Sequence, residues 1–238
     1  MTTKEEMNSP KRTARIAGLL ILIMSVFAVF SMLYVSSNLV VPGDAATTAS
    51  NIMASKGLFR LGIVSDSIVF LLEIVIVVML YVLLKPVSKT LSLVAAFSRL
   101  AMIVIQGINL LNHFTALLLL SGAGFLTVFQ PDQLHALVLL FLNAHESVVL
   151  IWGLFFSLHL FFLGYLVYKS GYIPRILGIA LVIASACYLI QDFGTILFPK
   201  YEEMFSTIGF LSIIELVFPI WLLIKGVRDQ QPATIEAG

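Results

Sequence analysis

The chain has 238 residues, of which 60% are apolar and only 11% charged. Soluble domains run at roughly 45–50% apolar and 25% charged, so a water-facing surface cannot be covered and the chain belongs in a bilayer. A net charge of +1 gives no electrostatic footprint for nucleic acid. The single cysteine, Cys187, excludes a disulfide framework, a CxxC redox centre and a thiolate zinc site.

In chain order, a polar tail over residues 1–13 leads into a first apolar stretch, Ile16–Val35. Lys11, Arg12 and Arg15 precede it as in a signal peptide, but it exceeds the roughly 7–15 residues of a signal core. The small-residue site Ala45-Ala46-Thr47 also lies well past its end, so a retained helix is predicted. In Val41-Pro42-Gly43-Asp44, Asp44 is placed to cap a short outer helix, Ala45–Ser55, which Gly57 would end. The second span is Gly62–Leu84. The third, Leu91–Leu120, is longer than the roughly 20 residues one crossing needs, so it tilts or protrudes.

Pro131-Asp132-Gln133 starts a helix that runs from Leu134 through Ala144 into the fourth span, Ser147–Val167. As one helix that run would be about 50 Å long, so its first part is expected to lie along the interface or bend there. The fifth span is Ile176–Ile190 with a ragged end near Leu197, and the sixth is Thr207–Ile224. Residues 14–227 thus form one all-α transmembrane bundle of about six spans, and residues 228–238 a disordered tail. The connections Lys85–Thr90 and Lys169–Pro174 are too short for a soluble catalytic or DNA-binding module.

Charge sets the expected orientation. With six spans both termini share one side, which collects Lys4, Lys11, Arg12, Arg15, Lys85, Lys89, Lys169, Arg175, Lys225 and Arg228. The opposite side has only Lys56, Arg60 and Lys200. By the positive-inside rule both termini are cytoplasmic, in a multi-pass protein of the inner (plasma) membrane. Arg15 and Gly18, Arg175 and Gly178, and more loosely Arg60 and Gly62 repeat one phrase, read as an interfacial Arg followed by a small packing residue rather than as an internal repeat.

An ionisable residue at bilayer depth costs roughly 2.5–3.5 kcal/mol, so each one needs a reason. The second span carries Asp66 and Glu73, two turns apart on one face. The third carries Arg99, Gln106 and His113 at the same spacing, with Asn109 and Asn112 near that stripe, which places this helix at the centre of the bundle. His145-Glu146 opens the fourth span and His159 lies deeper. Gln191-Asp192 closes the fifth, and Glu215 is near the middle of the sixth. Asp66, Asn109, His113, His145 and Glu146 are the expected lining of an outward-opening polar pocket. Glu73, Arg99 and Glu215 form an expected buried charge network, with an Arg99 ion pair to either carboxylate. His159, taken singly, reads as a structural contact.

Several chemistries suit the outer cluster. It could bind, sense or pass a small polar or amphipathic solute, with proton coupling through the histidines and carboxylates. His113, His145 and Asp66 are weakly signalled candidates for metal ligands, and with Glu146 they would suit a zinc-dependent lipid hydrolase, although no HExxH or HxxxH spacing is present. A bis-histidine haem lacks an attachment motif, and serine hydrolysis lacks its elbow. A structural or partner-binding bundle, with every polar group satisfied internally, is the third reading. No cofactor is implied, and the expected partners are the lipid bilayer and a small-molecule ligand.

Val41–Ala46, Leu58–Asp66, Ala96–Leu100 with Asn109-Leu110-Leu111, Ala144-His145 and above all Lys169-Ser170-Gly171-Tyr172-Ile173-Pro174-Arg175-Ile176-Leu177-Gly178 resemble a mainly bacterial membrane family, domain of unknown function 4386. The resemblance covers residues 10–227 and implies a membrane bundle of six or seven helices with no established activity or cofactor. It singles out Asp66, Arg99, Asn109 and His145 among the intramembrane polar residues. It also implies an acidic residue directly after Ile190, where this chain has Gln191 and then Asp192, a side-chain rotation of about 100°.

Overall fold

The computed structural model describes residues 9–227, and regular structure among them is entirely helical. Six of the helices are long and apolar enough to cross a membrane. We label them α1 (Pro10–Leu39), α3 (Lys56–Leu84), α4 (Lys89–Leu119), α5 (Pro131–Lys169), α6 (Arg175–Leu197) and α7 (Pro199–Ile224). The short α2 (Ala45–Ala54) lies between α1 and α3. Lys4, Arg228 and nearly all of both tails lie outside the described residues.

Every span is longer than its apolar stretch, and at α1 and α4 a side-chain cap satisfies free N–H groups of the added polar turn. Ser9 accepts from the Arg12 N–H ahead of Pro10, and Ser88 from the Leu91 N–H. Asp44 caps α2 as expected, taking the Thr47 N–H at 2.9 Å and its hydroxyl at 2.7 Å. These hydrogen bonds hold the Asp44 carboxyl below its ordinary range.

Two local expectations are corrected. α2 stops at Ser55, and Gly57 belongs to the first turn of α3, where its φ needs no left-handed turn. α5 is capped by Gln130 in a reciprocal box with Gln133, because the helix begins at Pro131 and so takes in Asp132. α5 then runs unbroken for 39 residues, nearly 60 Å at 1.5 Å per residue, and α2 packs against it.

The six spans close into a ring in the order α1, α3, α4, α5, α6, α7 and back to α1. The third span is therefore one stave of a ring, not a central helix. Its polar stripe faces neighbours, while Val104, Ile108, Leu111, Phe114 and Leu118 are exposed on its outer face. In lipid the apolar surface gives no net drive for helix association, so close backbone approach and interhelical hydrogen bonds carry the packing. A Cβ on Gly18 would lie 2.5 Å from the Pro219 carbonyl oxygen, and one on Gly178 2.5 Å from that of Gly164. A Cβ on Gly62 would lie 3.0 Å from the Val35 side chain rather than from backbone, so all three glycines of the repeated phrase are packing residues.

Hydrogen bonds add to the seams. Ser65 donates to the Phe27 carbonyl, Ser185 to that of Ser157, and the Arg15 guanidinium to that of Ile224. Between α5 and α6, Tyr172 donates to the Leu83 carbonyl at 2.7 Å, and burial pushes its phenol up to about 12.

Two helices depart from α geometry. Phe30–Val35 of α1 forms a π-helical turn, and Leu211–Leu216 of α7 forms a 3₁₀ stretch. Such irregular turns inside long helices often mark functional positions or hinges. Here each borders one of the two polar clusters described next.

Candidate functional site

The first cluster lies deep in the ring. Arg99 on α4 is 4% exposed, and its Nε–H donates to Glu73 Oε2 on α3, so the ion pair expected from sequence is formed. Its Nη1 lies 2.9 Å from His159 Nε2 on α5, and His159 Nδ1 lies 2.8 Å from the Ala95 carbonyl oxygen. Arginine only donates and a carbonyl only accepts. His159 is therefore neutral, with its proton on Nδ1, and it serves as a second acceptor for the guanidinium. The face of Phe156 lies 5.9 Å from the guanidinium carbon. This arrangement satisfies a charge that would otherwise face hydrocarbon.

Glu215 makes no hydrogen bond to that pair but lies within electrostatic reach of both Arg99 and Glu73. The 3₁₀ stretch of α7 turns it toward α6, where the Tyr188 hydroxyl donates to Oε1 at 3.2 Å. Glu215 Oε2 and Asp192 Oδ2 are buried without a hydrogen-bond partner. Asp192, 3% exposed, lies against α5 where Gly153 leaves room, and a Cβ there would occupy the space of its carboxylate. The neighbouring Gln191 packs against Gly209 of α7. Asp192 lies within electrostatic reach of Tyr188.

The second cluster lies at the end of the ring opposite Lys85 and Lys169. His113 on α4 and His145 on α5 stack with ring centroids 4.0 Å apart, and Phe59 meets His113 edge-on. Asn109 Nδ2 donates to the His145 carbonyl at 3.0 Å and to Gln106 Oε1 at 2.8 Å, and Asn112 donates to Asn109 Oδ1. This chain of amides fixes the α4–α5 crossing and so the register of the histidine pair. His145 Nδ1 is buried without a partner.

Beside the pair is a cavity of about 50 Å³. Val35, Leu39, Phe59 and Leu142 form its apolar wall, while Ser31, His113, Asn143 and Glu146 supply polar groups. The π-helical turn of α1 places Ser31 and Val35 on this wall. Of the five expected pocket residues, His113 and Glu146 line the cavity, and His145 and Asn109 buttress it. Asp66 is beside Ser31 and is not part of the lining.

Stacked imidazoles hold their nitrogen lone pairs in nearly parallel planes, 21° apart, so the two rings do not converge on one ion. Among the described residues no three His, Cys, Asp or Glu side chains gather as a metal site. The weak metal reading of His113, His145 and Asp66 therefore gains nothing from the geometry.

Sequence reasoning named His159 only as a structural contact, without its partner Arg99, and it missed Tyr188 and Gly153. A lone histidine in an apolar helix has no spacing to mark it, and a glycine across a helix crossing has no local signal.

Residues 16–226 match the family described as domain of unknown function 4386, and the chain belongs to that family. A protein of Archaeoglobus fulgidus described as uncharacterized is 32% identical over 164 residues, covering 69% of this chain and 83% of that one. No solved structure matches the chain.

Proposed function

We propose that this multi-pass membrane protein binds a small amphipathic solute with a hydrogen-bond-donating or cationic end, to sense it or to carry it. The observation behind this reading is the composition of the cavity between α1, α3, α4 and α5. One side is apolar, and the other offers Glu146, Asn143, Ser31 and the His113 ring. A carboxylate beside neutral acceptors and an aliphatic wall suits an amine with a short hydrocarbon body. The small volume limits the enclosed part to a few heavy atoms.

The π-helical turn gives the site a means of responding. Regularising it to α geometry would rotate Ser31 and Val35 relative to the rest of α1, so solute contacts there couple to the helix register. We place the cavity on the outer side and both termini in the cytoplasm, from the excess of Lys and Arg at the opposite end.

The test uses thermal unfolding of the detergent-purified protein with a series of short primary and tertiary alkylamines, beside carboxylates of matching size. Saturable stabilisation by an amine, weakened at least about tenfold in apparent affinity by Glu146→Gln, is expected, a loss of about 1.4 kcal/mol or more. Glu203→Gln serves as a control of equal charge. If no amine stabilises the wild type, or Glu146→Gln responds equally, the reading is wrong.

A further inference from the structure

At the end of the ring that carries Lys85 and Lys169, a second and much larger opening, about 740 Å³, lies between the start of α1, the α5–α6 turn and the end of α7. Lys11 and Lys225 line it, with Tyr172 and Trp221 as aromatic walls and the Gly171 and Gly226 turns at its edges. Both glycines have positive φ, 74° and 66°, which lets the chain reverse there without a side chain filling the opening. Gly226 also packs against Lys11, whose backbone oxygen would lie 3.0 Å from a Cβ at that position. The two lysines therefore come from opposite ends of the chain onto one rim.

No carboxylate is found among the described lining residues. Tyr172 is fixed by its hydrogen bond to the Leu83 carbonyl, so the wall is ordered. Tyrosine and tryptophan favour the depth of lipid headgroups. Next to the opening, Ile176 on α6 and Ile220 and Ile224 on α7 are exposed on the lipid-facing surface. A molecule with its anion at the lysines would have its apolar part on those isoleucines.

We propose that this opening is a binding site for the phosphate of an anionic phospholipid, held by Lys11 and Lys225. Basic pockets between spans take such headgroups because each ammonium contributes on the order of 1 kcal/mol near an anionic surface. The same two lysines could hold free phosphate. The adjoining apolar surface favours the lipid, since it adds contact that an inorganic ion cannot make. The site is at the opposite end of the ring from the cavity of the proposed function and does not depend on that reading.

The protein, purified in a zwitterionic detergent, would be titrated with phosphatidylglycerol, phosphatidylcholine or inorganic phosphate while its thermal unfolding is followed. Lys11→Gln/Lys225→Gln would be compared with wild type and with Lys85→Gln/Lys169→Gln, which removes equal charge at the same end. Lys11 and Lys225 are exposed, so the double variant is expected to fold. The expected result is saturable stabilisation by phosphatidylglycerol alone, with apparent affinity about tenfold or more weaker in Lys11→Gln/Lys225→Gln and unchanged in the control. Equal weakening in both double variants would reduce the effect to diffuse surface charge and overturn the site. Equal stabilisation by inorganic phosphate would overturn the lipid assignment, and equal stabilisation by phosphatidylcholine would overturn the role of charge.

Discussion

In Glu73→Gln, Arg99 keeps its charge but loses its carboxylate, leaving His159 Nε2 and a neutral amide as acceptors. The side chains of Arg99 and Glu73 are 4% and 5% exposed, so water cannot replace the lost partner. Breaking a buried pair from one side costs roughly 3–5 kcal/mol, and a charged residue at mid-membrane roughly 2.5–3.5 kcal/mol. The retained His159 contact places Glu73→Gln at the low end, about 3 kcal/mol. Arg99→Met strands Glu73 in turn and costs about the same.

Removing both charges strands neither, so the double variant is expected to cost no more than either single one. The coupling between the two sites is then about 3 kcal/mol, at the upper end for residues in contact. Reversible unfolding in mixed micelles, titrated with a denaturing detergent, measures all four corners of the cycle. Interhelical hydrogen bonds in membranes average about 0.6 kcal/mol. A coupling under about 1 kcal/mol would reduce the Arg99–Glu73 pair to one of those and refute its place as the main polar tie of the ring.

Gly153→Ala puts a methyl group where the Asp192 carboxylate lies and is expected to destabilise by about 1–3 kcal/mol. Adding Asp192→Ala should recover most of that loss in the same unfolding assay, and absence of recovery would mean the two residues do not share that space. Asp44→Ala should lower the melting temperature near neutral pH. Because the folded carboxyl is held below its ordinary value of about 3.9, its contribution is complete above that value and disappears as pH falls through the lower folded one. Melting curves of wild type and Asp44→Ala should therefore converge under strong acid, and a gap that persists there would exclude the cap as its source. For orientation, a membrane-impermeant maleimide should label Lys200→Cys on intact cells and Lys85→Cys only after permeabilisation. The buried Cys187 keeps the background low, and the reverse pattern would invert the proposed topology.

The six spans were legible because lipid-facing and ring-facing positions are both apolar, which leaves runs no soluble helix would carry. Their ends were not, since Lys56–Leu61 and Pro199–Ser206 continue as helix through polar sequence that hydropathy scores as loop. Arg99 and Glu73 stood out because each is expensive at that depth without a partner. Glu215 was grouped with Glu73 and Arg99 by depth, whereas its hydrogen bond goes to Tyr188 from a 3₁₀ stretch, Leu211–Leu216, that Pro219 does mark in sequence, since it has no N–H for the Glu215 carbonyl four residues earlier. The π-helical turn at Phe30–Val35 has no such mark in sequence. His113 and His145 were grouped by depth alone, whereas their stacking goes with the Asn109 bridge to the His145 backbone, a contact between residues 36 apart.

Closure of the ring by α7 against α1 joins the first of the six described spans to the sixth. Until α7 inserts, Gly18 has no Pro219 carbonyl to pack on, and Tyr188 has no Glu215 to meet. The nascent bundle is therefore a five-stave arc. It can already hold the Glu73–Arg99–His159 cluster, but its Tyr188 flank stays open sideways to lipid. Completion of the ring then waits on one helix. A chain arrested before residue 199 should keep its first five spans in the membrane yet remain a target for membrane quality control.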